Sequence, residues 1–208
     1  LSTGFRAPNI DDASKVFDSQ PGALIIPNPD LHEERLYSAE LGMKQKLGDR
    51  WALDACFYYS FLDEAMERAP FDFGGRDSVF YEGELSQVLA VQNIDYAWVW
   101  GYQFGIRSDI SKNLHWLLHW SHPFGMDSQG NPLRHVNPFN ATSTLSYSRE
   151  KIRTNLILRY NGSVDAEDIP FSESEKLHMY AINDNGLPYS PSWYTISLQG
   201  SYHFSKNI

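Results

Sequence analysis

The stretch Trp51-Ala52-Leu53-Asp54-Ala55-Cys56-Phe57-Tyr58-Tyr59-Ser60-Phe61 decides the fold. Its odd positions, Trp51, Leu53, Ala55, Phe57, Tyr59 and Phe61, are apolar or aromatic, and Asp54 and Ser60 fall between them. A period of two is the signature of a strand with two unlike faces, because successive side chains point to opposite sides of a pleated sheet. The same reading extends along the chain. Residues 37–47 place Tyr37, Ala39, Leu41, Met43 and Leu47 opposite Ser38, Glu40, Lys44 and Lys46. Residues 99–110 place Trp100, Tyr102, Phe104, Ile106 and Ile110 opposite Gln103, Arg107 and Asp109. Trp116, Leu118 and Trp120 oppose His115 and His119 in 114–122. Ile152, Leu156, Leu158 and Tyr160 oppose Lys151, Arg153, Asn155 and Arg159 in 151–161. In 192–204, Tyr194, Ile196, Leu198, Tyr202 and Phe204 oppose Thr195, Ser197, Gln199 and His203. Residues 138–148 alternate more weakly through Phe139, Leu145 and Tyr147. Taking about 88–110 as one long strand, with an irregularity near Asn93 to Ala97, gives seven strands.

The connections alternate too. Leu47 to Arg50, Ser111 to Asn113, Ser148 to Glu150 and Ser205 to Asn207 read as tight turns, and the segments 9–36, 62–87, 123–137 and 162–191 as long polar loops. Short turns on one side and long loops on the other are the habit of outer-membrane barrels. Most of the 26 acidic residues lie in those long segments. Solvated loops are the plainer account of them; an acidic rim for divalent cations or a basic ligand region is the other.

Composition is consistent with this. The 208 residues are 42% hydrophobic and 14% aromatic, enough for a large buried surface, and the net charge of −9 argues against a nucleic-acid partner. A negative mean hydropathy of −0.44 fits a membrane barrel, in which lipid-facing and lumen-facing residues alternate and average out. No run approaches the roughly 18 apolar residues of a transmembrane helix. The lone Cys56 excludes an internal disulfide and reads as a half-buried packing residue. Leu1 begins without a signal-peptide pattern, so an internal start within a longer chain is expected. A soluble β-sandwich is the rival fold. Trp, Tyr and Phe near strand ends, where membrane girdles need them, weigh against it, as do strands well beyond the usual globular length of about 5 to 6 residues. Open edges in lipid would leave backbone groups unpaired, so the wall is expected to continue beyond both ends.

With the strands placed, Gly4-Phe5-Arg6-Ala7-Pro8-Asn9, Asn28-Pro29-Asp30-Leu31, Glu33 or Glu34, and the strand Tyr37 to Gly42 together resemble the FRAP, NPDL, E and ELG stretch of TonB-dependent outer-membrane receptors. The pairing is most like the haem and haemoglobin receptor group. Tyr96 to Gln103 is similar to the family's A-x-I-x-G-x-E strand, and Asn131 to Pro138 to its PLRHxPP segment. The resemblance implies a barrel of roughly 22 strands around an N-terminal plug, importing a scarce nutrient with energy relayed by TonB. It implies that residues 1–208 are one partial barrel domain, the end of about the thirteenth strand and the next seven, with the plug, the TonB-contacting segment and the terminal hairpin missing. The candidate ligand-binding residues it marks are Arg6, Pro8, Asn28, Pro29, Asp30 and His32. Haem or a ferric siderophore is the expected ligand, with cobalamin or a glycan left open; outer-membrane lipid and TonB are the expected partners, in a Gram-negative outer membrane. Haem receptors of this group carry a histidine between the two motifs, and residues 9–27 contain none. His32, directly after Leu31, is either a displaced ligand or an ordinary loop residue. A soluble glycan-binding module is the alternative from another class.

Other chemistry is sparse. His115 and His119 are expected to face the lumen, about 13 Å apart at 3.3 Å per residue, too far to share a metal. His122 and His135 flank the third long loop. Asp11, Asp12, Asp165, Glu167 and Asp168 lack the spacing of a calcium loop. With no nucleophile elbow, phosphate loop or zinc motif, neither an enzyme nor a resident cofactor or metal is expected.

Overall fold

The computed structural model describes residues 1–14, 16–20 and 22–204. Strands, in chain order, are β1 (Ser2–Arg6), β2 (Phe17–Gln20), β3 (Ala23–Ile25), β4 (Glu34–Leu47), β5 (Trp51–Pro70), β6 (Ser78–Tyr81), β7 (Glu84–Ser111), β8 (Leu114–Asp127), β9 (Asn140–Arg149), β10 (Ile152–Asn161), β11 (Ala181–Ile182), β12 (Pro188–Tyr189) and β13 (Trp193–Tyr202). A helical turn, α1 (Ile10–Ser14), and two 3₁₀ segments, Ala166–Asp168 and Phe171–Met179, complete the elements.

One sheet runs β1-β4-β5-β7-β8-β9-β10-β13, with β2, β3 and β6 joined to it off that path. Seven long strands preceded by a strand end is the expected count, and the tight turns at 47–50, 111–113 and 148–150 fall where the sequence places them. The fourth, at Ser205 to Asn207, lies outside the described residues. The only other sheet among the described residues is the two-stranded β11-β12. Among the described residues nothing covers the aromatic face in the way a second sandwich layer would: Trp51 is 45% and Phe57 49% exposed. The soluble-sandwich rival therefore fails, and the chain is an antiparallel barrel wall.

Two compact units can be distinguished. The second comprises residues 39–59, 99–125 and 134–208. Its backbone is ladder-bonded in simple hairpin register, His115 opposite Ser146, Leu156 opposite Leu145, Leu158 opposite Ile196. On one face the rings of Trp51 and Trp116, Phe57 and Phe104, Phe104 and Trp120, and Trp100 and Phe124 meet at 6.4, 5.7, 5.2 and 4.4 Å. Such pairs stiffen a sheet beyond their buried area. On the other face two glycines permit close approach. A Cβ on Gly101 would stand 2.5 Å from the Tyr58 hydroxyl and 2.8 Å from the His122 carbonyl oxygen, so the phenol folds over a backbone that only glycine leaves bare. Asp54 lies over Gly105 in the same manner.

The first unit comprises residues 1–38, 60–98 and 126–133, and differs from the sequence expectation. Segments 9–36 and 62–87 are not open polar loops. β5 continues to Pro70 and β7 begins at Glu84; between them β6 turns back on β7, with Phe80 opposite Leu85. β3 then pairs parallel with β7, Leu24 opposite Val88, while β2 pairs with β3. The result is a small sheet buried on both faces at β3 and at residues 88–90, while Phe80 and Leu85, at its β6 hairpin, are exposed. Leu24, Ile26, Val88 and Ala90 pack on one side with Phe71, Val79 and Tyr81, and Ala23, Ile25 and Leu89 on the other with Phe17. The contiguous apolar runs 23–26 and 88–90 belong to strands buried on both faces, which do not alternate and so escape a period-two reading. β8 extends to Asp127, five residues past the expected end, and β13 stops at Tyr202, leaving Phe204 outside it and 81% exposed.

Candidate functional site

The motif-bearing segment between β1 and β4 is fixed by hydrogen bonds rather than by regular structure. Arg6 ends β1 opposite Glu34, and its Nη2 stands 3.8 Å from the Met66 sulfur. The Glu34 carboxylate accepts the Met66 amide at 2.8 Å, so the strand end carrying Arg6 is bound to β5. Pro8 is half-buried and Pro29, Asp30 and His32 are exposed. Asn28, 7% exposed, uses its whole carboxamide: Nδ2 donates to the Val91 carbonyl at 2.9 Å and Oδ1 accepts the Asp30 amide at 3.1 Å. The latter is an Asx turn, which bends the chain after Asn28. His32 donates its backbone N–H to Asn93 Oδ1 at 2.8 Å. Candidate residues far apart in sequence are thereby gathered along neighbouring positions of β4, β5 and β7. Sequence reasoning marked Asn93 only as the start of an irregularity in a long strand, not as a residue of the site. The available signal was an asparagine inside a strand, where that residue is disfavoured.

Beside the motif, Arg35 Nη2 donates to Glu33 Oε1 at 2.8 Å. The guanidinium holds the Glu33 carboxyl below its usual value near 4.5, chiefly through that hydrogen bond, and the carboxylate raises Arg35 in return.

In the second unit, His115 Nδ1 lies 2.6 Å from Asp109 Oδ1, and His119 is exposed on the same strand face. His122 sits among rings, 4.1 Å from Phe124, 5.9 Å from Phe139 and 5.9 Å from Tyr102. Arg134 Nε stands 2.5 Å from Glu173 Oε1, and Lys176 Nζ 3.4 Å from Glu173 Oε2. The Arg134 contact is a charge pair without an aligned hydrogen bond. Burial and the nearby Glu173 carboxylate push the Tyr180 phenol up. Among the described residues no group of three or more His, Cys, Asp or Glu side chains could hold a metal ion.

A sheet of long antiparallel strands joined by short turns, with aromatic rings paired on an exposed face, matches one family model. That model, a TonB-dependent receptor-like β-barrel, matches residues 1–208. The chain belongs to the TonB-dependent receptor family. Members of this family are outer-membrane receptors and transporters. No curated protein matches the sequence. Solved structures similar to this receptor include the siderophore receptor PirA from Acinetobacter baumannii, with 18% identity and a TM-score of 0.71 over 98% of this chain and 32% of that one. The copper transporter OprC is 16% identical, with a TM-score of 0.68 over 99% of this chain and 28% of that one. A mutant ferric enterobactin receptor from Pseudomonas aeruginosa, in complex with enterobactin, is 15% identical, with a TM-score of 0.69 over 99% and 30%. The receptor chain thus spans less than a third of the length of these structures. At such identities the likeness is one of fold.

Proposed function

We propose that this chain is part of the wall and outer loops of a receptor in the outer membrane of a Gram-negative bacterium, which imports an iron chelate, haem foremost, using energy relayed by TonB through a plug outside this segment. One observation carries the haem reading. His32 is exposed on a segment whose backbone is tied down at Asn28 and at its own amide. A histidine whose backbone is already fixed is a suitable axial ligand for haem iron, because less backbone freedom is left to lose on binding. Arg6, Pro8, Asn28, Pro29 and Asp30 form the surroundings of that ligand, and His115 and His119 line the polar face along which it would pass. A ferric siderophore is the second reading, favoured by the absence of histidine from residues 9–27 and by the permanent positive charge of Arg6 beside the motif, which suits an anionic chelate.

Absorbance titration of the full-length receptor in detergent separates the readings. A Soret shift in the wild type that disappears in His32→Ala is the expected result. A shift that survives His32→Ala removes His32 from the role, and a wild type that binds a ferric catecholate siderophore but gives no Soret shift replaces haem by the siderophore.

A further inference from the structure

Asn93 is where three segments of the first unit meet. Its Oδ1 accepts the N–H of His32 at 2.8 Å, and its Nδ2 donates to the carbonyl of that same residue at 3.2 Å and to the carbonyl of Glu64 at 2.8 Å. Residues 26–33 form no strand, so one side chain satisfies both backbone groups of His32 where a neighbouring strand would otherwise do so. The third bond engages a residue under strain: Glu64 has φ of 54°, the left-handed region that a residue with a Cβ enters at a cost. Two positions before Asn93 on β7, the Val91 carbonyl accepts from the side-chain Nδ2 of Asn28. Residues 28–32 are therefore tethered at both ends to one short stretch of β7.

Only a carboxamide of this length provides that arrangement. Aspartate would keep the acceptor, lose both donors and set a charge against two carbonyl oxygens. Leucine would leave three backbone groups, the N–H and carbonyl of His32 and the carbonyl of Glu64, to find other partners. Asparagine is also a poor choice for the middle of a strand, and a locally unfavourable residue whose every polar atom is engaged points to function.

We propose that Asn93 is a positioning residue for the ligand site: its carboxamide sets the direction in which His32 presents its imidazole, and thereby the affinity and coordination of the bound iron, without touching the ligand. This rests on the reading of His32 as an iron ligand. The neighbouring Gln92 supplies the control. Its Nε2 donates to the Pro70 carbonyl at 2.8 Å and the Ala69 carbonyl at 3.4 Å, the same kind of bond from β7 to β5, and these bonds lead away from residues 28–32.

The test compares wild type, Asn93→Ala and Gln92→Ala in the full-length receptor in detergent, by haem absorbance, low-temperature electron paramagnetic resonance and hydrogen exchange of peptides covering 28–34. Asn93→Ala is expected to weaken haem binding by roughly 10- to 100-fold, the usual cost of removing a group that orients a metal ligand. It should also alter the low-spin spectrum and speed exchange in 28–34, while Gln92→Ala matches the wild type in all three. If exchange rises in Asn93→Ala but affinity and spectrum stay the same, Asn93 is a tether alone; the inference is wrong and the haem reading stands. If wild type and Gln92→Ala show no haem spectrum, the haem reading fails and takes the inference with it. Should Asn93→Ala not fold, Asn93→Gln, one methylene longer, is expected to shift the spectrum, and a wild-type spectrum from it overturns the inference.

Discussion

The small sheet of β2, β3, β6 and the start of β7 and the hairpin meander of β8, β9, β10 and β13 are both antiparallel-rich β structure, yet they hold together by different means. In the small sheet, Ala23 to Ile26 and Val88 to Ala90 are buried, with Val88 at 0% exposure. Aliphatic side chains removed from water on both faces supply its stability, at about 25 cal/mol per Å² of apolar surface. In the meander nothing comparable exists. Leu198 is 74% exposed, and all but one of the ten residues of β13 are exposed. Ladder hydrogen bonds and aromatic pairs hold that wall, and its apolar face gains its burial from lipid. The lesson is that one chain can hold both a small core of the kind found in water-soluble proteins, built from its long connections, and strands whose apolar face is left exposed.

The most severe way to break the distinction is Val88→Asp, which puts an unpaired charge where no water reaches. We expect a cost upwards of ~4 kcal/mol, confined to the small sheet. Limited proteolysis of the full-length receptor should open cuts within 17–26 and spare β8 to β10; cuts throughout would mean that the two regions fold as one. A paired substitution tests the wall. Leu198→Arg is expected to destabilise the receptor by about 2 to 4 kcal/mol in urea titrations of vesicle-inserted protein, while Ser197→Arg, on the opposite face, should cost far less. Equal costs would contradict the assignment of faces.

Gly101→Ala sharpens the account of the wall from its polar side. The new Cβ would press on a carbonyl oxygen as well as on the Tyr58 phenol, and the backbone contact cannot move away cheaply. About 1 to 3 kcal/mol is expected, with Tyr58→Ala in the same chain recovering part of it. The smallest effect is that of pH on the Glu33–Arg35 pair. Because the folded carboxyl is lowered below about 4.5, the pair contributes fully at neutral pH and is lost only as pH falls through the lowered folded value. Both side chains are exposed, so Glu33→Gln should lower the neutral-pH midpoint only slightly and flatten the acid limb by the same small amount; a midpoint that drops at pH 3 as much as at pH 7 would contradict the pairing.

Sequence reading found the wall because lipid and lumen impose opposite demands on alternate residues, and Trp51 to Phe61 or Trp193 to Tyr202 record those demands directly. It passed over β3 because Ala23 to Ile26 meets apolar neighbours on both sides and therefore carries no alternation. Polar residues flanking that run made it look like part of a loop. The site was legible in part. Arg6, Asn28 and His32 stand out through the motifs, but their partners Met66, Val91 and Asn93 lie about 60 residues away in the chain. No local pattern encodes a contact of that kind.

The parallel pairing of β3 with β7 also has a cost in chain entropy. β9 and β10 meet across a two-residue turn, whereas Asn28 reaches Val91 only after a separation of 63 residues. Closing the longer loop costs roughly 3 kcal/mol more in chain entropy. The segment bearing Asn28 to His32 therefore carries an entropic cost of closure that the β9–β10 hairpin escapes, and the long-range bonds of Asn28 and Asn93 are what offset it.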